Sequence, residues 1–210
     1  MTDGAELIDL LHEWERRLRE LGAPCASRLR AGLSREEVDA TTATAGVDLP
    51  ADAAAIWMWH DGDRARLEDD WGRPSLTPWK TFLSLQAALE RSTWMRRITD
   101  QVRPPGANLE AGPYEDEGTD EELYFRRTFV ILAEAENPVY LDCTSPAGPT
   151  PTGVFITHDT YRTPRVPLVD RIRYRIDALD RGLWQVGPDG AWVVDETRAP
   201  DVERWWDLYA

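Results

Sequence analysis

Cysteine is scarce in this sequence and long apolar runs are missing, and the two shortages narrow its class. Cys25 and Cys143 are the only cysteines, with neither metal-ligand nor redox spacing. The expectation is reduced, partly buried thiols, with one disulfide between them as the alternative. The longest apolar run, residues 53–59, falls far short of the ~20 residues that span a bilayer. The opening residues, Met1 to Glu6, are acidic where a secretory leader would be basic, so a cytoplasmic protein is expected. Basic charge is also short. Lys and Arg number 24 against 38 Asp and Glu, a net charge of −14. Sequence-independent nucleic-acid binding draws on phosphate neutralisation by basic side chains, so direct nucleic-acid binding is not expected, nor is an anionic membrane surface. A basic protein partner suits the balance, because complementary fields speed association; the same charge also serves solubility alone.

The signatures of the common catalytic sites are missing as well. No glycine-rich phosphate loop precedes a lysine, and there is no HExxH and no paired CxxC. His12, His60 and His158 lie far apart, and His12 falls on the polar side of the first helix. His60-Asp61 and His158-Asp159 are imidazole–carboxylate pairs of a kind that suits divalent ions. In phosphohydrolases such pairs sit in helical bundles with further histidines, whereas here one ends a short helix and the other a strand. Cys143 would need a base such as His158 to act as a nucleophile. It instead continues the apolar alternation of Val139 and Leu141, as a buried inert thiol would. With 38 carboxylates no pair stands out for glycoside hydrolysis. The reading is a non-enzyme with no catalytic residues, no metal and no cofactor, and a metal-dependent hydrolase is the alternative.

What the chain does contain is one domain's worth of regular structure. Its 210 residues, 42% hydrophobic and 30% charged, suit a single core. Ten tryptophans supply large buried area, mostly for that core and in part for an interface. Leu7, Leu10, Leu11, Trp14, Leu18 and Leu21 repeat at helical spacing, and Gly22 with Pro24 ends that helix. Ser34 and Glu37 make a capping box for a second helix, with Leu33 and Val38 as its hydrophobic staple and Gly46 as its stop. Pro50 opens a third helix as its first residue, and Asp61-Gly62 closes it. Residues 78–83 read as extended, and Ser84 as the cap of a fourth helix. Phe129 to Leu132, Val139 to Cys143 and Val154 to His158 read as strands of an antiparallel meander, with 145–153 a loop between the last two. A long helix runs from Leu168, Gly187-Pro188-Asp189-Gly190 turns a hairpin, and Val202 to Leu208 suits a last helical turn. The fold class is α+β, a largely antiparallel sheet packed against helices. It divides into a helical extension (1–33), a central domain (34–182) and a C-terminal hairpin with a short helix on the same core (183–210).

The stretch from Ser34 to Gly62 has a recognisable order: a capped helix, Leu49-Pro50-Ala51-Asp52, then Ile56-Trp57-Met58-Trp59-His60-Asp61-Gly62. It resembles the opening of the SUKH superfamily, the Smi/Knr-like group of bacterial toxin-immunity proteins and fungal cell-wall regulators. Asp61 stands where that family usually has asparagine. The likeness runs on through Phe82-Leu83-Ser84-Leu85, Phe129 to Leu132 and Val139-Tyr140-Leu141-Asp142, covering roughly 34–182. It implies a non-catalytic protein that occludes a secreted toxin, often a nuclease, in the cytoplasm; an adaptor or regulator on the same scaffold is the other reading. The family carries no shared catalytic set. Residues 104–122 form an acidic loop without a basic residue. Glu115, Asp116, Glu117, Asp120, Glu121 and Glu122, with Tyr114 as an aromatic anchor, are the candidate partner-binding residues facing a basic nuclease-type toxin. The plain alternative is a solvated like-charge loop.

Overall fold

A computed structural model describes residues 3–64, 76–78, 80–102, 129–134, 138–144, 148–154 and 166–198. The capping box is present as read. The Ser34 hydroxyl accepts from the Glu37 amide at 3.2 Å, and the Glu37 carboxylate accepts from the Ser34 amide at 2.7 Å. It starts α2 (Arg35–Ala45), which Gly46 ends in the left-handed region. Before it lies α1 (Asp3–Glu20), and after it α3 (Ala51–Trp59). Pro50 stands one place earlier than expected. It is the residue before α3, with extended backbone, and its carbonyl accepts from Ala54. A short extended piece, β1 (Thr81–Phe82), leads to α4 (Leu85–Val102). The Ser84 hydroxyl meets the Ala87 amide at that helix's start.

The architecture is α+β, and the sheet is an antiparallel meander ordered β1-β2-β3-β4-β5. Its strands are β1, β2 (Phe129–Glu134), β3 (Val139–Asp142), β4 (Pro151–Val154) and β5 (Val166–Pro167). Every residue from Phe129 to Ala133 and from Val139 to Asp142 is buried, so both faces of the middle strands are covered, as the apolar runs expect. A bulge at Leu132 shifts the β2–β3 register between Ile131 and Ala133. On the β1 side the Leu132 carbonyl accepts from the Leu83 amide, continuing the β1–β2 register and tying β2 to the chain entering α4.

The loop expected at 145–153 is corrected at its end: β4 runs Pro151–Val154, so the strand expected from Val154 to His158 includes Val154 but starts three residues earlier. Proline and glycine in this stretch signal a loop, yet neither obstructs pairing here. Pro151 is the first residue of its strand, where an absent N–H is tolerated. Gly153 lies opposite Tyr140, and a Cβ at 153 would sit 2.4 Å from the tyrosine oxygen. Residues 155–158 lie outside the described residues, as do Val202 to Leu208.

The last described elements are α5 (Leu168–Asp180) and the hairpin β6 (Trp184–Val186) with β7 (Trp192–Val194). Trp184 is buried and meets Trp192 edge to face with centroids 6.2 Å apart, which seats the hairpin. Helix α1, which the family likeness leaves out, lies against α3 and α5. Its Leu7, Leu11, Trp14 and Leu18 are wholly buried and form one wall of the core. Of the tryptophans, Trp14, Trp57, Trp59 and Trp184 are core residues, while Trp94 is 48% exposed with the Arg91 guanidinium 4.0 Å above its ring.

Helix α4 is stitched to the sheet by one hydroxyl. Ser92 is fully buried; its oxygen donates to the Ala88 carbonyl at 2.6 Å and accepts from the Ile131 amide at 2.8 Å. Ser92→Ala leaves a buried amide without its acceptor and is expected to cost about 1–3 kcal/mol in urea unfolding. A change below a few tenths would mean that the amide finds another acceptor.

Candidate functional site

The motif from Ile56 to Gly62 is held by contacts that build the fold. Trp57 is wholly buried and its indole N–H donates to the Leu83 carbonyl at 3.1 Å. The Asp61 carboxylate accepts from the Leu85 amide at 2.8 Å and so caps α4, a task its asparagine counterpart would also manage. Asp63 is buried, pairs with Arg28 at 3.1 Å, and gives its amide to the Phe82 carbonyl. Asp52, also buried, accepts from the Thr150 amide at 2.7 Å and the Thr150 hydroxyl at 2.5 Å, joining α3 to the chain entering β4.

His60 is committed on both ring nitrogens. Nδ1 lies 2.6 Å from the Arg30 carbonyl oxygen and Nε2 lies 3.2 Å from the Glu15 carboxylate. Both partners are acceptors, so neither nitrogen is presented to a metal or to a substrate proton. The Glu15 carboxylate also accepts from the Trp59 indole at 3.2 Å and from Arg19 at 2.5 Å. Burial pushes this carboxyl up, but the hydrogen bonds and charges of Arg19 and His60 outweigh it and hold the group below the usual carboxylate range. His12 approaches the same carboxylate at 4.0 Å, a meeting of two distant histidines that spacing along the chain does not reveal.

The thiols are buried and free of one another. Burial, then the neighbouring Asp142 and Asp52 charges, push the Cys143 thiol well above its ordinary value. Burial and Asp63, against Arg28, push Cys25 up to about 12. Each stays a thiol at neutral pH, a poor nucleophile and a poor ligand. Among the described residues no group of His, Cys, Asp and Glu is arranged to hold a metal ion. None of the helices there is long and apolar enough to cross a membrane. Tyr114, Glu115, Asp116, Glu117, Asp120, Glu121 and Glu122 all lie outside the described residues, and so do His158 and Asp159.

A second constellation was not read from sequence. Lys80, Arg171 and Arg175 are all buried, at 5%, 3% and 4% exposure. Lys80 starts the approach to β1, and the two arginines stand one helical turn apart on α5. Arg171 donates to the Thr152 hydroxyl at 2.5 Å, and Thr152 passes its own proton to the Val166 carbonyl at 2.7 Å. Arg175 lies 5.0 Å from the Trp14 ring centre, a cation on an aromatic face. Lys80 and Arg175 line a cavity of about 20 Å³ with Thr77 and the aromatic walls of Trp14, Trp59 and Phe82. That is room for one or two waters.

No family model matches the chain, and no curated protein matches it in sequence.

The chemistry of this pocket follows from its charges. Burial, then the charges of Arg171 and Arg175, bring the Lys80 ammonium down to about 7. Burial and Arg171 press the Arg175 guanidinium down to about 9, so it remains a cation at neutral pH. Lys80 is therefore the group that sheds its proton, and the cavity presents a partly neutral amine with the Arg175 guanidinium in its wall. A signal for it existed in the sequence. Of 24 basic residues Lys80 is the only lysine, set among 23 arginines.

Proposed function

We propose that this protein is a non-catalytic, cytoplasmic binding protein that neutralises a cognate toxin through a one-to-one interface. The observation that carries the reading is the folded unit of residues 34–62. It comprises a capped helix, a Leu-Pro entry, an aromatic-bearing helix and an Asp-Gly exit docked on the chain at 83–85. That order is the basis of the SUKH likeness, and Ser34, Glu37, Asp52, Trp57 and Asp61 in it each have a framework task. The two groups that best suited a hydrolase within the described residues, His60 and Cys143, are tied up or held as a thiol. The net charge of −14 favours a basic partner such as a nuclease-type toxin, with the acidic loop at 115–122 as its contact.

The test begins with co-purification against the product of the adjacent gene. A partner that is toxic when expressed alone and harmless in the complex supports immunity. A partner that binds and is not toxic favours the adaptor reading. Neutralising the six loop acids, Glu115, Asp116, Glu117, Asp120, Glu121 and Glu122, to Gln or Asn then tests the surface. Association is expected to slow by about tenfold or more at low salt, with a flatter dependence on ionic strength. Unchanged rate and salt slope would move the contact elsewhere.

A further inference from the structure

We propose that Asp189 is a modification site: its carboxyl cyclises onto the Gly190 amide and reopens as isoaspartate, which re-routes the main chain through the side chain. The proposal does not depend on the toxin reading. The chemistry needs a carboxyl one residue before an amide whose own residue has no Cβ in the way. The chain has no Asn-Gly step and three Asp-Gly steps, at 3–4, 61–62 and 189–190. Asp3-Gly4 opens α1, and the fold treats the other two in opposite ways.

At 61–62 both partners are engaged. The Asp61 carboxylate caps α4 through the Leu85 amide at 2.8 Å. Gly62 is buried, and its carbonyl accepts from the Arg30 amide at 3.0 Å. At 189–190 the same dipeptide sits at the tip of the β6–β7 hairpin, which the Gly187 amide closes on the Ala191 carbonyl at 2.7 Å. Asp189 is exposed, and its carboxylate folds forward to accept from the Ala191 amide at 3.0 Å. That bond reaches across the Gly190 peptide unit and holds the carboxyl carbon beside the nitrogen that attacks it. The Gly190 N–H donates to the Gly187 carbonyl at 2.9 Å and has to let go first. A turn bond at a loop tip opens at little cost.

The step balances with water alone. The Gly190 nitrogen bonds to the side-chain carboxyl carbon of Asp189; its proton and the carboxyl OH leave as water, closing a cyclic imide. Water then adds back at either carbonyl. Breaking the new C–N bond restores aspartate, and breaking the original peptide C–N bond leaves isoaspartate, with an extra carbon in the main chain. Pro188, Asp189 and Gly190 alone fill the turn, and Gly190 lies so close to Pro24 that a Cβ would stand 2.8 Å from its ring. The added carbon finds no slack there, so it loosens the hairpin that Trp184 and Trp192 seat.

The experiment ages the full chain at physiological temperature in mildly acidic buffer, beside a sample unfolded in guanidinium chloride. Tryptic peptides are then treated with an isoaspartate-specific methyltransferase and labelled S-adenosylmethionine, and the site is read by electron-transfer fragmentation. In the folded chain, label is expected at Asp189 in peptide 182–198, about tenfold or more above Asp61 in peptide 36–64, because Asp61 reacts only when the α3–α4 junction opens. In the unfolded chain the two peptides should label alike. Asp189→Glu, whose longer side chain would have to close a larger ring, should remove the label from 182–198. A folded chain without label at Asp189 overturns the proposal. Equal labelling of Asp61 and Asp189 in the folded chain overturns it too, because the fold would then play no part in the choice.

Discussion

Gly62→Ala is expected to lower stability by about 3 kcal/mol or more, a large share of the roughly 5–15 kcal/mol that holds a typical domain together. Two physical terms add at this position. The backbone sits at φ +80°, a region that costs an L side chain about 1–2 kcal/mol. A Cβ there would also lie 2.4 Å from the Ser84 amide nitrogen and 2.7 Å from the Leu83 carbonyl carbon, both backbone atoms that cannot swing aside. Moving them would strain the Trp57–Leu83 and Asp61–Leu85 bonds that hold α3 and α4 together. Gly46 supplies the control. It has φ +65° and open space within 4 Å, so Gly46→Ala should cost only about 1 kcal/mol. Urea midpoints read by tryptophan fluorescence compare the two. Equal losses would show that close approach at Ser84 is not what demands glycine.

Between pH 7 and pH 9 Lys80 is expected to make the folded protein more stable as pH rises. In the unfolded chain this amine holds its proton to an ordinary 10.5; in the folded chain it holds it only to about 7. Between those values the unfolded state binds the extra proton, so each unit of rising pH favours the folded state by about 1.4 kcal/mol. Below about 7 both states carry the charge and the full penalty of burying it is present; above 10.5 neither does. Comparing wild type with Lys80→Met at pH 7 and pH 9 subtracts the titration of the groups the two proteins share. The wild type should gain about 2–3 kcal/mol on the variant over that interval, measured by urea unfolding. Parallel pH profiles would mean that the ammonium stays charged inside the fold.

How far the sequence foretold this molecule depended on whether its signals were local. The capping box at Ser34 and Glu37, the stop at Gly46 and the cap at Ser84 are set by neighbours three or four residues away, and all are found. The Phe129 to Leu132 strand was legible because an apolar, partly β-branched run has few other uses. Signals that depend on distant partners misled or stayed silent. Pro151 and Gly153 carry loop chemistry, and only Tyr140 on the adjacent strand explains why glycine suits a strand there. The apolar stripe of α1 announced a helix, yet nothing local says that α3 and α5 cover it. Lys80 was counted as one positive charge among 24, and a charge count cannot say that this one is indoors. Of the candidate site, the acids at 115–122 were singled out on composition and lie outside the described residues, while His60 and Glu15, 45 residues apart, met only through the fold.

The margins of the sheet carry a consequence for the molecule in a crowded cell. Its outermost strands, β1 and β5, are two residues long each, and β5 ends in Pro167, which has no amide proton to offer. A neighbouring chain finds almost no ladder to extend at either edge of this five-stranded sheet, so its apolar middle strands are not offered as a template for edge-to-edge pairing there.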